Sequence, residues 1–173
     1  MKPKIEFLQD SKLREFSEYL EKIPYSAYQK DVELDEKDIL SFRYYNGNRY
    51  IIAKENGNIV GHLCIMFPYS KYGYHQEHII EVHINVLPEF QSKGVGKALL
   101  EFFIKDIHKN NKKSGIMKIK TKMLASNRPV INLFEKFGFK KEGVLEKEWK
   151  IVMEKEGKKI ICYEDAVYMC LML

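Results

Sequence analysis

The hydrophobic pattern of the chain changes its period once, between residues 87 and 96. Before this point, Glu77 to Leu87 alternates in the manner of a β-strand and ends at Pro88. After it, apolar residues recur at the spacing of one helix face: Leu100, Phe103, Ile104 and Ile107. A second strand, Ile116 to Leu124, follows the helix predicted over 94–110. This strand–helix–strand unit predicts a right-handed crossover in a sheet covered by helices.

Other segments extend this unit. The β-rich runs Arg49–Glu55 and Ile59–Phe67 flank Asn56-Gly57, a dipeptide typical of a tight hairpin turn. Toward the N-terminus we predict a strand at Lys4–Leu8, a helix capped by Asp10 or Ser11, and a short helix near Asp35. Toward the C-terminus we predict a helix capped by Ser126 or Asn127 and ended by Gly138, followed by a closing hairpin of Trp149–Met153 and Lys159–Leu171. The predicted order is β-α-α-β-β-β-α-β-α-β-β, an α/β fold with a mixed sheet and helices on both faces.

Composition supports a single globular domain over 1–173. Hydrophobic residues make up 45% and charged residues 31% of the 173 residues, which disfavours disorder. We find no apolar stretch long enough to span a membrane and no secretory signal, and the three cysteines lack paired spacing. These features predict a cytoplasmic protein with reduced thiols. The net charge of +5 is a modest excess that favours an anionic partner.

The turn between this strand and the helix is the segment that most clearly predicts a binding site. Over Gln91 to Lys97, two glycines and two lysines stand at a helix start, where free N–H groups and the helix dipole favour anions. A Walker A loop is excluded because its G-x-x-x-x-G-K-[ST] pattern is absent. A dinucleotide fingerprint is disfavoured because position 99 is Leu rather than Gly. The segment therefore predicts a pyrophosphate site of another kind.

Gln91-x-x-Gly94-x-Gly96, placed after a strand, resembles the acyl-CoA motif of the GNAT superfamily of N-acetyltransferases. A second block, Asn127-x-x-Val130-x-x-Leu133-Phe134-x-x-x-Gly138-Phe139, resembles a downstream motif of the same family. The order of elements also agrees. The resemblance implies a GNAT-like, mostly antiparallel mixed sheet and acetyl transfer from acetyl-CoA, as cosubstrate, to a primary amine of a small molecule or peptide.

The resemblance also implies which residues hold acetyl-CoA. The pantetheine arm would pair with the strand edge at Ile84, Asn85 and Val86, as an added strand does. Gln91 would start the pyrophosphate loop, and its main chain would contribute. The N–H groups that bind the pyrophosphate would be those of Ser92, Lys93, Gly94, Val95, Gly96 and Lys97. Asn127 would contact the CoA arm, cap the helix, or do both.

Direct attack of the amine on the thioester, through a tetrahedral intermediate, needs a base and an oxyanion donor. Glu81 and His83 lie on one strand face and are the candidate bases, with Glu81 favoured; His75 and His78 are weaker candidates. The resemblance implies the backbone N–H of Val86 as oxyanion donor. We find no cluster with metal-ligand spacing and predict no metal.

Three positions depart from the family pattern. Phe134 stands where many members have a Tyr that protonates the leaving sulfur, so the acid could be Tyr163, Tyr168 or water, or the thiolate could leave unassisted. Lys122 stands where the acetyltransferases of ribosomal proteins have Glu, so that substrate is not assigned. Val130 replaces the usual Ala.

The acceptor side is less determined. Tyr25, Tyr28, Tyr69, Tyr72 and Tyr74 suggest either an aromatic pocket or ordinary surface, and Glu77, Glu81 and Asp165 could attract a cationic amine. The alternative function is a non-catalytic acyl-CoA sensor. Lys118, Lys120 and Lys122 share a strand face that could touch nucleic acid, but no matching motif supports this and none is predicted. No membrane partner is predicted, and a homodimer through the closing strands is allowed.

Overall fold

The computed structural model describes residues 2–23, 48–67, 76–155 and 158–173. Within them, the strands are β1 (Lys4–Phe7), β2 (Arg49–Glu55), β3 (Asn58–Met66), β4 (Ile79–Val86), β5 (Lys118–Leu124), β6 (Lys140–Lys155) and β7 (Lys158–Met172). The α-helices there are α1 (Leu13–Glu21), α2 (Val95–Ser114) and α3 (Arg128–Lys136). The short helix predicted near Asp35 lies outside the described residues.

The seven strands form one sheet in the order β1-β2-β3-β4-β5-β7-β6. Neighbouring strands are antiparallel except β4 and β5, which are parallel and joined through α2. A parallel pair needs such a crossover, whereas antiparallel neighbours can be joined by short turns. The mixed, mostly antiparallel sheet predicted from the sequence is confirmed.

The sheet buries an apolar core on each face. One core packs α2 and α3 against the strands through residues such as Leu99, Phe103 and Phe134. The other lies under α1 and contains Phe16, Tyr19 and residues of β2 and β3. Helices therefore cover both faces, as predicted. In the described ranges, no helix has the length and hydrophobicity required to cross a membrane.

Several local predictions match the backbone. Asn56 and Gly57 both have positive φ, 49° and 85°, the conformation that a two-residue hairpin turn between β2 and β3 requires. Asn127, rather than Ser126, caps α3: its side chain accepts a hydrogen bond from the Val130 N–H. Gly138 follows the helix with a φ of 86°, as a left-handed terminating residue does.

Two local predictions were wrong. Neither Asp10 nor Ser11 caps α1, because both lie in a 3₁₀ turn that precedes it and Lys12 occupies the N-cap without a side-chain bond. The closing hairpin is longer than predicted, since β6 begins at Lys140 rather than Trp149. The first half of β6 is an exposed edge rich in charges, so it shows no apolar alternation. It also contains an irregularity at Lys147, which has a φ of 52°.

A buried histidine that the sequence did not single out lies in β3. The His62 ring is fully buried among Phe16, Tyr19 and Tyr50, and its Nδ1 is 3.1 Å from the Tyr19 hydroxyl. Burial lowers the pKa of His62 to about 3, with a smaller contribution from the charge of His83. The neutral ring is therefore the folded form at ordinary pH.

This histidine makes the fold sensitive to acid. Between about pH 6.5 and 3 the unfolded chain binds a proton at His62 that the folded chain does not, so the free energy of unfolding falls as pH falls. The slope from this group approaches about 1.4 kcal/mol per pH unit. We expect His62→Gln to remove much of that slope between pH 6 and 4, measured by urea unfolding. An equal slope in both proteins would contradict the assignment.

Candidate functional site

The site lies where β4 and β5 separate. The parallel pairing of these strands covers only Ile79–Glu81 of β4 with Lys118–Lys120 of β5. The pairing of β4 with β3 continues to Val86, so the last five residues of β4 remain in the sheet on one side only. Within the described part of the chain, no strand pairs with their other side. A gap therefore opens beyond Glu81 and Lys120.

The direction of the backbone groups along this edge follows from one hydrogen bond. The Leu87 N–H donates to the Val60 carbonyl of β3 at 3.0 Å. Because backbone groups alternate sides along a strand, the N–H and C=O groups of Ile84 and Val86 point away from β3, into the gap. The Val86 carbonyl accepts a bond from the Gln91 side chain at 3.1 Å, consistent with this direction.

The turn after β4 presents a concave row of N–H groups. Ser92 has a φ of 59° and Gly94 a φ of 84°, so left-handed residues alternate with ordinary ones before α2 begins at Val95. Such alternation turns successive N–H groups toward one point and makes an anion-binding nest. Residues 91–94 are exposed, so this nest is open to a ligand.

The two glycines of the turn serve different purposes. A side chain at Gly94 would meet nothing within 4 Å, so this residue provides the left-handed backbone and an open approach. A Cβ at Gly96 would lie 3.3 Å from Leu133 of α3 and 3.6 Å from Ile84 of β4. Gly96 therefore lets α2, α3 and β4 pack closely.

The lysines of the turn lie beside the nest and remain exposed. The Lys93 ammonium lies 5.3 Å from the centre of the Phe90 ring. The Lys97 Nζ is 3.7 Å from the Glu101 carboxylate, the i,i+4 partner expected on a helix. Val95, in contrast, is buried, so only its backbone can contribute to binding.

Glu81 and His83 form a hydrogen-bonded pair on the α1 face of the sheet, at the start of the gap. His83 Nε2 is 2.9 Å from Glu81 Oε1, and both side chains are partly exposed. The bond to His83 lowers the pKa of Glu81; burial opposes this, and the charges of Lys120 and Lys122 add to it. Glu81 is therefore ionised at neutral pH.

The remaining predicted residues are distributed as follows. Asn127 is exposed, and its Oδ1 is 3.4 Å from the Val130 N–H, which leaves its amide group able to donate. His78 lies in an exposed turn before β4, and His75 is outside the described residues, as is the predicted tyrosine pocket at 25–32 and 68–75. Asp165 accepts the Lys147 N–H at 2.9 Å and supports the β6 irregularity.

The three aromatic residues considered for the acid that protonates the leaving sulfur lie in different surroundings. Phe134 is fully buried and packs edge-to-face on Phe139 at 4.9 Å between ring centres, so it belongs to the core. Tyr163 is 58% exposed on the closing hairpin. Tyr168 pairs with Lys122 on β5, two residues beyond Lys120, the last residue of β5 that pairs with β4, and its ring lies 5.5 Å from the Lys122 ammonium. Tyr168 is thus the nearer tyrosine to the gap.

Sequence reasoning missed one residue that shapes the site. A Cβ at Gly61 of β3 would lie 3.1 Å from the Asn85 carbonyl and 3.2 Å from the Val95 side chain. Only glycine lets the end of β4 and the start of α2 approach β3 this closely. A glycine inside a mostly apolar strand was the available signal, since such a residue often marks a close approach.

The comparisons with known proteins agree with this geometry. The model of the acetyltransferase (GNAT) family matches residues 9–139, and because this is most of the chain, the protein belongs to that family. It is therefore an enzyme of the acetyltransferase class, whose acetyl donor is acetyl-CoA. No curated protein matches the sequence.

Solved structures share the fold. A ribosomal-protein-alanine N-acetyltransferase from Brucella melitensis is 19% identical, with 98% of this chain and 99% of that chain covered and a TM-score of 0.75. An N-acetyltransferase from Staphylococcus aureus Mu50 is 20% identical, with 99% of each chain covered and a TM-score of 0.76. A phosphinothricin acetyltransferase from Sinorhizobium meliloti, in complex with acetyl-CoA, is 22% identical, with 100% and 89% covered and a TM-score of 0.73. These similarities show the fold.

Proposed function

We propose that residues 1–173 form one catalytic domain that transfers the acetyl group of acetyl-CoA to a primary amine of a small molecule or peptide by direct attack. The observation that carries the proposal is the separation of β4 from β5 beside the nest at residues 91–97. The open edge of β4 is therefore followed directly along the chain by the anion-binding nest. A molecule with amide groups at one end and a pyrophosphate at the other matches both.

The residues present fit acetyl-CoA. The gap-facing N–H and C=O groups of Ile84 and the C=O of Val86 would pair with the pantetheine amides, with Asn85 between them, which leaves the Val86 N–H for the oxyanion. The N–H groups from Ser92 to Lys97 would hold the pyrophosphate, beside the charges of Lys93 and Lys97. Gln91 fixes the end of β4 through the Val86 carbonyl. Asn127 would donate its amide to the CoA arm while it caps α3. Bound there, acetyl-CoA supplies an activated thioester carbonyl.

Side-chain and backbone groups of the chain would then transfer the protons and stabilise the developing charge. Glu81, with His83, would accept a proton from the acceptor ammonium, which leaves a neutral nitrogen. The neutral nitrogen attacks the thioester carbonyl carbon and forms the C–N bond, which gives a tetrahedral intermediate. The nitrogen then loses its second proton to water, the C–S bond breaks, and the electron pair leaves on sulfur. The Val86 N–H would stabilise the transient oxyanion. Tyr168 or water would protonate the thiolate, whose ordinary pKa of about 8.5 also lets it leave unassisted.

The test of this function is release of free thiol from acetyl-CoA in the presence of a broad amine panel. We expect amine-dependent release and an acetylated product detected by mass spectrometry. Saturable binding of acetyl-CoA without turnover across the panel would favour the sensor instead. The protein should work without added metal, and a chelator in the assay is expected to change nothing. Among the described residues, no group of three His, Cys, Asp or Glu could hold a metal.

A further inference from the structure

The α1 face of the sheet, beside Glu81, carries a row of three lysines on β5: Lys118, Lys120 and Lys122. The outer two are neutralised by glutamates of β6. Lys118 is ion-paired with Glu142, and Lys122 lies 3.1 Å from Glu148. The row is therefore not a free basic surface of the kind that binds a nucleic-acid backbone.

Lys120 differs from its neighbours. Within the described part of the chain, its ammonium has no ion pair or hydrogen bond, although its side chain is half-buried. It stands opposite Glu81 in the parallel register, at the last paired position before the gap. The Glu81 carboxylate is instead bonded to His83. Among the described residues, a cation without an ion pair or hydrogen bond thus lies next to the proposed base, on the same face of the sheet, and its charge acts on Glu81.

Lys122 cannot take the same role. Its ammonium lies 4.8 Å from the centre of the Trp149 ring and 5.5 Å from that of Tyr168, in addition to its contact with Glu148. These contacts hold it toward β6 and β7, away from β4. Lys120 is therefore the lysine of the row that remains available to a ligand at the gap.

We infer that the acceptor carries a carboxylate beside its amine, as an α-amino acid does, and that Lys120 binds this carboxylate while Glu81 and His83 receive the amine; the inference rests on the proposed function. Neighbouring strands lie about 4.8 Å apart. The nitrogen and carboxyl carbon of an α-amino acid are about 2.5 Å apart, so one molecule can contact groups on both strands. A diamine would bring a second ammonium against Lys120, which disfavours polyamines and aminoglycosides.

The test compares each of the twenty protein amino acids with the amine obtained by removing its carboxyl group, for example L-phenylalanine with 2-phenylethylamine. For the amino acids that are turned over, we expect kcat/KM to exceed that of the matched amine. Lys120→Gln is expected to lower this ratio by about 10- to 100-fold, the effect of losing a charge-assisted bond. Lys120→Arg should restore part of the ratio, because arginine also binds carboxylates.

Lys118→Gln is the matched control, since it removes a lysine of the same row that is already paired with Glu142. The ratio of kcat/KM for an amino acid to kcat/KM for its matched amine should be the same in Lys118→Gln as in the wild type. Turnover of amines without preference for their amino acids, or a ratio unchanged by Lys120→Gln, would overturn the inference and leave the proposed function standing. Turnover with neither set, while another amine of the broad panel is acetylated, would overturn the inference alone. No turnover with any amine of that panel, while acetyl-CoA still binds, would overturn both.

Discussion

Replacement of Glu81 by Gln is expected to lower kcat/KM for the acceptor amine by about 10²- to 10⁴-fold, the range typical of general-base catalysis. The amide keeps the size of the side chain and its position beside His83, but it cannot accept the proton. The structure places this carboxylate at the point where β4 leaves β5, partly exposed and hydrogen-bonded at 2.9 Å to His83. The measurement is steady-state thiol release with the best acceptor of the panel.

The pH dependence adds a second readout for this variant. The pKa of Glu81 lies below its usual range, so the carboxylate is ionised at neutral and alkaline pH and its loss should cost the same factor from pH 6 to 9. Glu135→Gln, on the exposed side of α3, changes the net charge equally and should retain wild-type activity. If the two variants have the same kcat/KM, Glu81 is not the base.

Replacement of Val86 by Pro is the second substitution with a large expected effect. Proline removes the N–H, and at this position that group points into the gap, so no hydrogen bond to β3 is lost. We expect kcat to fall by about 10²- to 10³-fold, the effect of deleting one oxyanion donor. Acetyl-CoA affinity should change much less, by at most about tenfold.

Val86→Ala is the matched control for this proline variant. Both substitutions remove the side chain that packs near Gly61 and Gly96, but only proline removes the donor. The comparison is therefore made between the two variants, with thermal melting to confirm that both are folded. A proline variant with the kcat of the alanine variant would assign the oxyanion to another donor.

The fold was predictable where local chemistry determines the backbone. Asn56-Gly57 supplies the two positive φ angles of a hairpin turn, and Asn127 and Gly138 mark the ends of α3, so these elements follow from neighbouring residues alone. The first half of β6 was missed because its exposed charges carry no period and its register is set by the far half of β7, where Lys140 pairs with Cys170. Propensity and pattern say little about an edge strand of this kind.

The candidate site likewise has some features that neighbouring residues determine and others that only long-range pairing determines. The nest at Ser92 and Gly94 follows from a glycine-containing turn before a helix, and the sequence located it. The separation of β4 from β5 depends on long-range pairing, and only the family resemblance anticipated it. The single unpaired lysine of the β5 row was not predictable, because its neighbours are neutralised by glutamates of β6 that become adjacent only in the folded sheet.

The most direct test of the account is calorimetric titration of the protein with acetyl-CoA. We expect saturable binding of one molecule per chain. We also expect the double variant Lys93→Glu, Lys97→Glu to bind at least tenfold more weakly, because both ammonium groups flank the nest proposed to hold the pyrophosphate. Absence of binding heat in the wild type, or an unchanged Kd in the double variant, would contradict the account.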